Sequence, residues 1–226
     1  MLRHSWDITP RQAIRLQKEL ASKVLVQPLD KPVRTIAGID CAYLGRKQIL
    51  AVAVLCEARS MAVLATSEIV RPLTFPYVPG LLSFREAPAV IEAVGALPEA
   101  PDLVMCDAHG LAHPRRFGLA CHVGVYLDLP AIGMAKSMLC GEFRMPGPRR
   151  GCHTQIRHKG EVVGSAVRTQ DGVEPMYVSV GHRITLKQAV AWALRGAKVA
   201  RIPEPTRLAH QYVTRMKKER EKFADP

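Results

Sequence analysis

The sequence predicts an α/β chain built on a mixed sheet: an antiparallel meander of three strands, then parallel strands, with helices flanking the sheet. Three observations predict it. Apolar runs at 35–43, 49–57 and 61–70 are separated only by Gly45-Arg46-Lys47 and Glu57-Ala58-Arg59-Ser60, the pattern of successive hairpins. Beyond residue 83, helical and strand patterns alternate, which places helices on the faces of a sheet. Two helix starts are spelled out, Thr9-Pro10-Arg11-Gln12 and Thr185-Leu186-Lys187-Gln188. In each, a threonine and a glutamine three residues on can cap each other's backbone donors.

In chain order, the first helix is predicted over 10–26, with Ala13, Leu16, Leu20 and Val24 as its apolar stripe and Pro28 and Pro32 ending it. The three meander strands follow, then a proline-rich loop at 72–80 and a helix over 83–97. The apolar run 102–107 reads as a strand buried on both faces. A helix at 116–127 and a short buried strand at 130–135 come next, then a Gly/Pro/Arg loop at 145–151. Residues 155–157 and 161–169 read as a hairpin across His158-Lys159-Gly160, 176–180 as a further strand, 185–195 as a helix, and 205–223 as a last, heavily charged helix.

With 226 residues, no linker and no internal repeat, the chain reads as a single domain spanning 1–226. Lys and Arg outnumber Asp and Glu by 32 to 20, a net charge of +12. That excess favours an anionic partner, nucleic acid first, because phosphates reward cations through counterion release. The start, Met1-Leu2-Arg3-His4-Ser5-Trp6-Asp7, has no apolar leader core, and no stretch reaches the roughly 20 apolar residues of a membrane span. The six cysteines form no Cys-x-x-Cys pair, and Cys140, Cys152 and His153 match no zinc-finger spacing. A cytoplasmic monomer with no membrane partner is expected.

Against this basic background three acids stand in dense local motifs: Asp40 in Ala37-Gly38-Ile39-Asp40, Glu86 at the end of the stretch 76–86, and Asp107 in Cys106-Asp107-Ala108-His109-Gly110. Two Mg²⁺ ions about 4 Å apart can split a phosphodiester, and Mg²⁺ takes a few carboxylates from converging elements. The predicted elements supply this if the first and fourth strands are neighbours. Each acid also has a plainer reading. Ser83-x-x-Glu86 fits a capping box, and Asp107 fits a turn or helix cap. Asp40 interrupts an apolar strand, where an unpaired carboxylate is costly, so a partner is expected there. His113 lies on the loop after Asp107, within reach of a water or phosphate. Lys136, following the strand at 130–135, can neutralise a phosphate or a leaving oxygen. Arg115, Arg116, Arg144, Arg149, Arg150, Arg157 and Lys159 read as phosphate contacts. His122 reads as a satisfied core residue, and the run 217–222 as a solvated helix face. Pro76-Tyr77-Val78-Pro79 holds an aromatic ring on a stiff loop. The ring serves either as a wedge into a base stack or as simple packing over the prolines.

The chain resembles the endonuclease V family of inosine-directed endonucleases. The resemblance rests on Gly38-Ile39-Asp40, on Pro-Tyr-Val-Pro-Gly-Leu-Leu-Ser-Phe-Arg-Glu at 76–86, on His-Gly-Leu-Ala-His-Pro-Arg-Arg at 109–116, on Gly181-His182-Arg183 and on Pro203-Glu204-Pro205-Thr206-Arg207. It implies an RNase H-like fold with Mg²⁺ or Mn²⁺ held by Asp40, Glu86 and Asp107, and His210 as a fourth residue on the last helix. Tyr77 and Pro79 would form the wedge, and Gly80, Leu82 and Ala108 the base pocket. Lys136 and His113 would support the reacting phosphate. It also implies a nick at the second phosphodiester 3′ to deoxyinosine in DNA repair, leaving 3′-hydroxyl and 5′-phosphate ends. An inosine-specific ribonuclease and a damage-binding protein that does not cut are the alternatives. Two residues depart from the family pattern: Ala108 replaces a glycine, and Met138 a basic residue.

Overall fold

The computed structural model describes residues 4–223. One eight-stranded sheet runs through it in the order β3-β2-β1-β4-β5-β8-β7-β6. The meander is β1 (Thr35–Leu44), β2 (Gln48–Glu57) and β3 (Val63–Pro72), antiparallel throughout. Gly45 at φ +57 closes its first turn, a left-handed conformation that glycine adopts without strain. β2 is buried from Ile49 to Cys56, whereas the edge strand β3 alternates between half-buried and exposed residues. β4 (Leu103–Cys106) and β5 (Ala131–Ala135) extend the sheet in parallel from β1. The parallel part ends there. β8 (Met176–His182) runs antiparallel to β5, and the hairpin of β6 (His153–His158) and β7 (Glu161–Val167) completes an antiparallel outer half.

Alternation along the central strands sorts side chains onto two faces. Odd positions of β1 and β2, with Val104 and Cys106 of β4, pack under α2 (Leu82–Gly95) and α3 (Leu119–Leu127). Even positions of β2 meet Ala209 and Val213 of α5 (Glu204–Phe223), and Ile36, Leu103 and Met105 pack with α4 (Leu186–Gly196). Asp40 is an even position, so it faces α5. Gly38, two residues earlier, lets α5 approach: a Cβ there would lie 1.9 Å from the carbonyl oxygen of Pro205.

Both predicted capping boxes form, Thr9 with Gln12 on α1 (Pro10–Ala21) and Thr185 with Gln188 on α4. Two helix boundaries differ from the sequence pattern. α1 ends at Ala21 rather than near residue 26, because Leu25 is drawn to the end of β8: its N–H donates to His182 Nδ1 (3.2 Å), and its carbonyl accepts from Arg183 N–H (2.7 Å). α3 begins at Leu119 rather than 116, since Arg116 is left-handed at φ +57 and Gly118 N–H is held by the Gly110 carbonyl at 3.0 Å. Among the described residues no helix is long and apolar enough to cross a membrane.

Candidate active site

β1 and β4 are neighbours, and their register pairs Ile39 with Cys106. The next residues along each strand, Asp40 and Asp107, therefore lie side by side. His210, on the second turn of α5, closes the group: one ligand atom from each of Asp40, Asp107 and His210 lies within 4.8 Å of the others. His210 Nδ1 is 2.7 Å from Asp40 Oδ2, the other Asp40 oxygen accepts from Cys41 N–H at 2.8 Å, and the Lys136 ammonium pairs with Asp107. Burial raises the Asp40 pKa above its usual range and the charge of Asp107 adds to the rise, while the His210 hydrogen bond opposes both. Clustered acids under this mutual repulsion are a site that gains from a cation.

Glu86 does not join the compact group that the sequence predicts as Asp40, Glu86 and Asp107. It reaches the end of the sheet from α2, on the opposite face to α5. There Tyr43, an odd position of β1, donates its hydroxyl to Glu86 Oε1 at 2.7 Å. Arg85 stacks over the Tyr43 ring at 4.8 Å and donates to the Phe75 carbonyl. Burial, with the charges of Asp40 and Asp107, pushes the Glu86 pKa up to about 7 against the Tyr43 hydrogen bond. The capping-box reading of Ser83 and Glu86 fails too. Leu81 holds the cap position of α2 without a side-chain bond, and Ser83 Oγ is buried with no partner. Tyr43 carried no signal in the sequence, because its link to Glu86 exists only once α2 lies across β1.

Beside this cleft lies a cavity of about 260 Å³, lined by Tyr77, Pro79, Gly80, Leu82 and Ala108 together with His109, His113 and Met138. Tyr77 is 68% exposed, too open to be packed over the prolines of its loop. Gly80 at φ +77 turns its carbonyl inward to three donors: Gln17 Nε2 at 3.1 Å, His113 Nε2 at 3.1 Å and Arg115 Nη2 at 2.7 Å. A Cβ on Gly80 would meet Arg115 Nη2 at 2.6 Å. The glycine thus makes room for an arginine behind the loop. His113 is fully engaged, since its Nδ1 also accepts from Arg115 N–H at 3.1 Å. It braces the pocket loop with both ring nitrogens. His109 and His113 have pKa values pushed down to about 4, chiefly by burial.

Several cations predicted to meet phosphate also bond groups of the fold itself. Arg115 also bonds Gln17, and Arg116 pairs with Glu161 and the His158 carbonyl. Arg150 donates to the carbonyls of Leu194, Ala197 and Thr169, and Arg157 to the Gly160 carbonyl and Gln155. His122 is buried but only half satisfied: Nε2 meets His4 at 2.8 Å, while Nδ1 has no partner among the described residues. The face of α5 beyond His210, predicted to be merely solvated, walls the acidic cleft through Thr214, Lys217 and Lys218.

The sequence profile of the endonuclease V family matches residues 18–211. An endonuclease V from Gloeobacter violaceus is 46% identical over 224 residues, covering 96% of this chain and 90% of that protein. Among solved structures, the Streptomyces avermitilis endonuclease V superposes with a TM-score of 0.91 at 41% identity, covering 97% of this chain and 98% of its own. The Ciona intestinalis endonuclease V, crystallised with a 24mer DNA containing an inosine followed by a ribo-adenosine, has the same fold (TM-score 0.79, 24% identity, 92% of this chain and 98% of that one).

Proposed function

The chain belongs to the endonuclease V family of nucleases, and from that premise we propose that it nicks DNA at the second phosphodiester 3′ to deoxyinosine. The products carry 3′-hydroxyl and 5′-phosphate ends, and the biological task is repair of deaminated adenine. The observation that carries this reading is the convergence of Asp40, Asp107 and His210 within 4.8 Å, next to a pocket whose rim presents an exposed Tyr77.

Hard oxygen donors with one imidazole suit Mg²⁺, with Mn²⁺ as the alternative. Asp40 and Asp107 would hold the ion, with Glu86 as a third carboxylate from the other face of the sheet and His210 beside them through Asp40. When bound, the ion supplies Lewis acidity and charge neutralisation at the phosphate. The remaining work belongs to the chain. Tyr77 and Pro79 pry the stack open, and Gly80, Leu82 and Ala108 wall the displaced base. Lys136 carries the positive charge that meets the leaving oxygen, and His210, anchored on Asp40, orients the attacking water. His113 acts indirectly, by fixing the Gly80 loop. We read the protein as a monomer of one domain in the cytoplasm, and its six free cysteines suit that reducing compartment.

The test is an inosine-containing duplex and the matching RNA, each incubated without metal, with Mg²⁺ and with Mn²⁺. Nicking of the DNA with either ion is expected, and Asp40→Ala should lower it by at least about a thousandfold. Full activity in that variant, or no nick in any arm, would refute the reading. The ribo-adenosine in the Ciona ligand makes RNA the second reading, and faster cutting of the RNA arm would establish it. Binding without cleavage, persisting in EDTA, would leave only a damage-binding protein.

A further inference from the structure

We infer that the face of α5 carrying Thr214, Lys217 and Lys218 is a track for the nucleic-acid backbone on the 3′ side of the cut; this rests on the function proposed above. The cleft that holds Asp40 and Asp107 is also lined by His210, Thr214, Lys217, Lys218 and Glu221. Their spacing places them on one helical stripe, which leads away from the acids. From His210 to Lys218 the stripe advances about 12 Å, room for roughly three phosphates of a duplex strand.

The two lysines of this stripe are held in no tight ion pair. Arg220, off the stripe, is bound to Glu68 at 2.8 Å. Lys218 is exposed, and among the described residues no carboxylate lies within ion-pair distance of it. Lys217 has only a loose contact with Glu221, at 3.7 Å. Such an exposed pair contributes little to helix stability, so the lysines are free to meet phosphate. Glu221 is the one like charge a phosphate would face on the stripe.

Direction follows from the two recesses. They adjoin across the chain steps Asp107–Ala108 and Lys136–Ser137, with the first residue of each step lining the cleft and the second the pocket. The α5 stripe lines only the cleft, and the Tyr77 loop only the pocket. The proposed cut is 3′ of the held base. A strand that starts at the pocket and passes Asp40 and Asp107 therefore reaches α5 with the segment that departs carrying the 5′-phosphate.

The experiment compares the unaltered chain with the double variant Lys217→Gln/Lys218→Gln. It uses inosine duplexes that either extend well beyond the nick on the 3′ side or end just past it, with Mg²⁺ over a series of KCl concentrations. On the extended duplex the variant should show a several-fold higher KM, and its salt slope should be shallower by roughly 1 to 2. The gap should close on the short duplex and persist when only the 5′ arm is shortened. Glu221→Gln should move KM the other way. Equal KM and salt slope for variant and unaltered chain on the extended duplex would overturn the track while leaving the nuclease reading intact, and so would a loss independent of the 3′ arm. Absence of nicking by the unaltered chain would overturn both.

Discussion

The two recesses share a rim yet are built on opposite electrostatic principles. In the cleft, burial and the charge of Asp107 raise the pKa of Asp40, and Glu86, at the same sheet end, is raised likewise by burial and the two aspartates, so positive charge brought there is favourable. In the pocket, His109 and His113 are held neutral by burial, and Gly80, Gln17 and Arg115 lock the loop. That arrangement is braced at its loop before anything binds, while His109 Nδ1 and Ser83 Oγ, on the same lining, are buried with no partner among the described residues. The contrast separates two tasks. A surface that only has to shape itself to a base can be braced by its own hydrogen bonds, whereas one that recruits an ion must keep like charges together. The sheet makes the separation possible. Asp40 points to α5 because it is an even residue of β1, and the Tyr77–Gly80 loop leads into α2 on the odd face.

The sharpest way to break this comparison is to move α5 alone. Gly38→Ala sets a methyl 1.9 Å from the Pro205 carbonyl and 2.6 Å from Thr206 N, both backbone atoms that cannot step aside. A loss of about 3 kcal/mol in urea unfolding is expected, with weaker Mn²⁺ binding as His210 leaves Asp40. Binding of an inosine oligonucleotide in EDTA should persist, because the pocket takes nothing from α5. Loss of both functions together would mean that the recesses are not independent.

Protons offer a second way, since the regions respond to pH with opposite sign. Glu86 rises from 4.5 to about 7 on folding. Between those values the folded chain keeps a proton that the unfolded chain releases, so stability falls as pH climbs. His109 and His113 drop from 6.5 to about 4. The unfolded chain then holds the extra protons, so stability climbs with pH across that window. In metal-free buffer Glu86→Gln should match the unaltered chain near pH 4.5 and exceed it above pH 7 by on the order of 3 kcal/mol. Denaturant unfolding at both pH values measures the gap, and a gap that does not depend on pH would contradict this account of Glu86.

The smallest effect sharpens the pocket side. Tyr77 is 68% exposed, so Tyr77→Ala should leave unfolding within about 0.5 kcal/mol. It should cost roughly 1–2 kcal/mol of affinity for an inosine duplex, read by titration in EDTA. Metal affinity, measured on the same variant, should not change.

Much of the architecture was legible along the chain, because hairpins, caps and alternation are local. The meander, the two Thr–Gln boxes and the doubly buried β4 depend on neighbours a few residues away. Local reading placed Asp40, Asp107 and Lys136 at strand ends, and the pairing of β1 with β4 and of β4 with β5 brought them together. It failed where a side chain's partner comes from a distant element. Glu86 read as a third metal carboxylate, or more plainly as a helix cap, and its bond to Tyr43 across the sheet was in neither reading. His113 looked free until Gly80 and Arg115 took both its nitrogens. Lys217 and Lys218 looked solvated until α5 was laid beside Asp40. By itself, then, the sequence determined the elements, their order and which residue types carry charge. Only the tertiary structure decided which face each acid points to and which cations remain uncommitted, because pairing energies depend on separations of a few ångströms that chain distance does not encode.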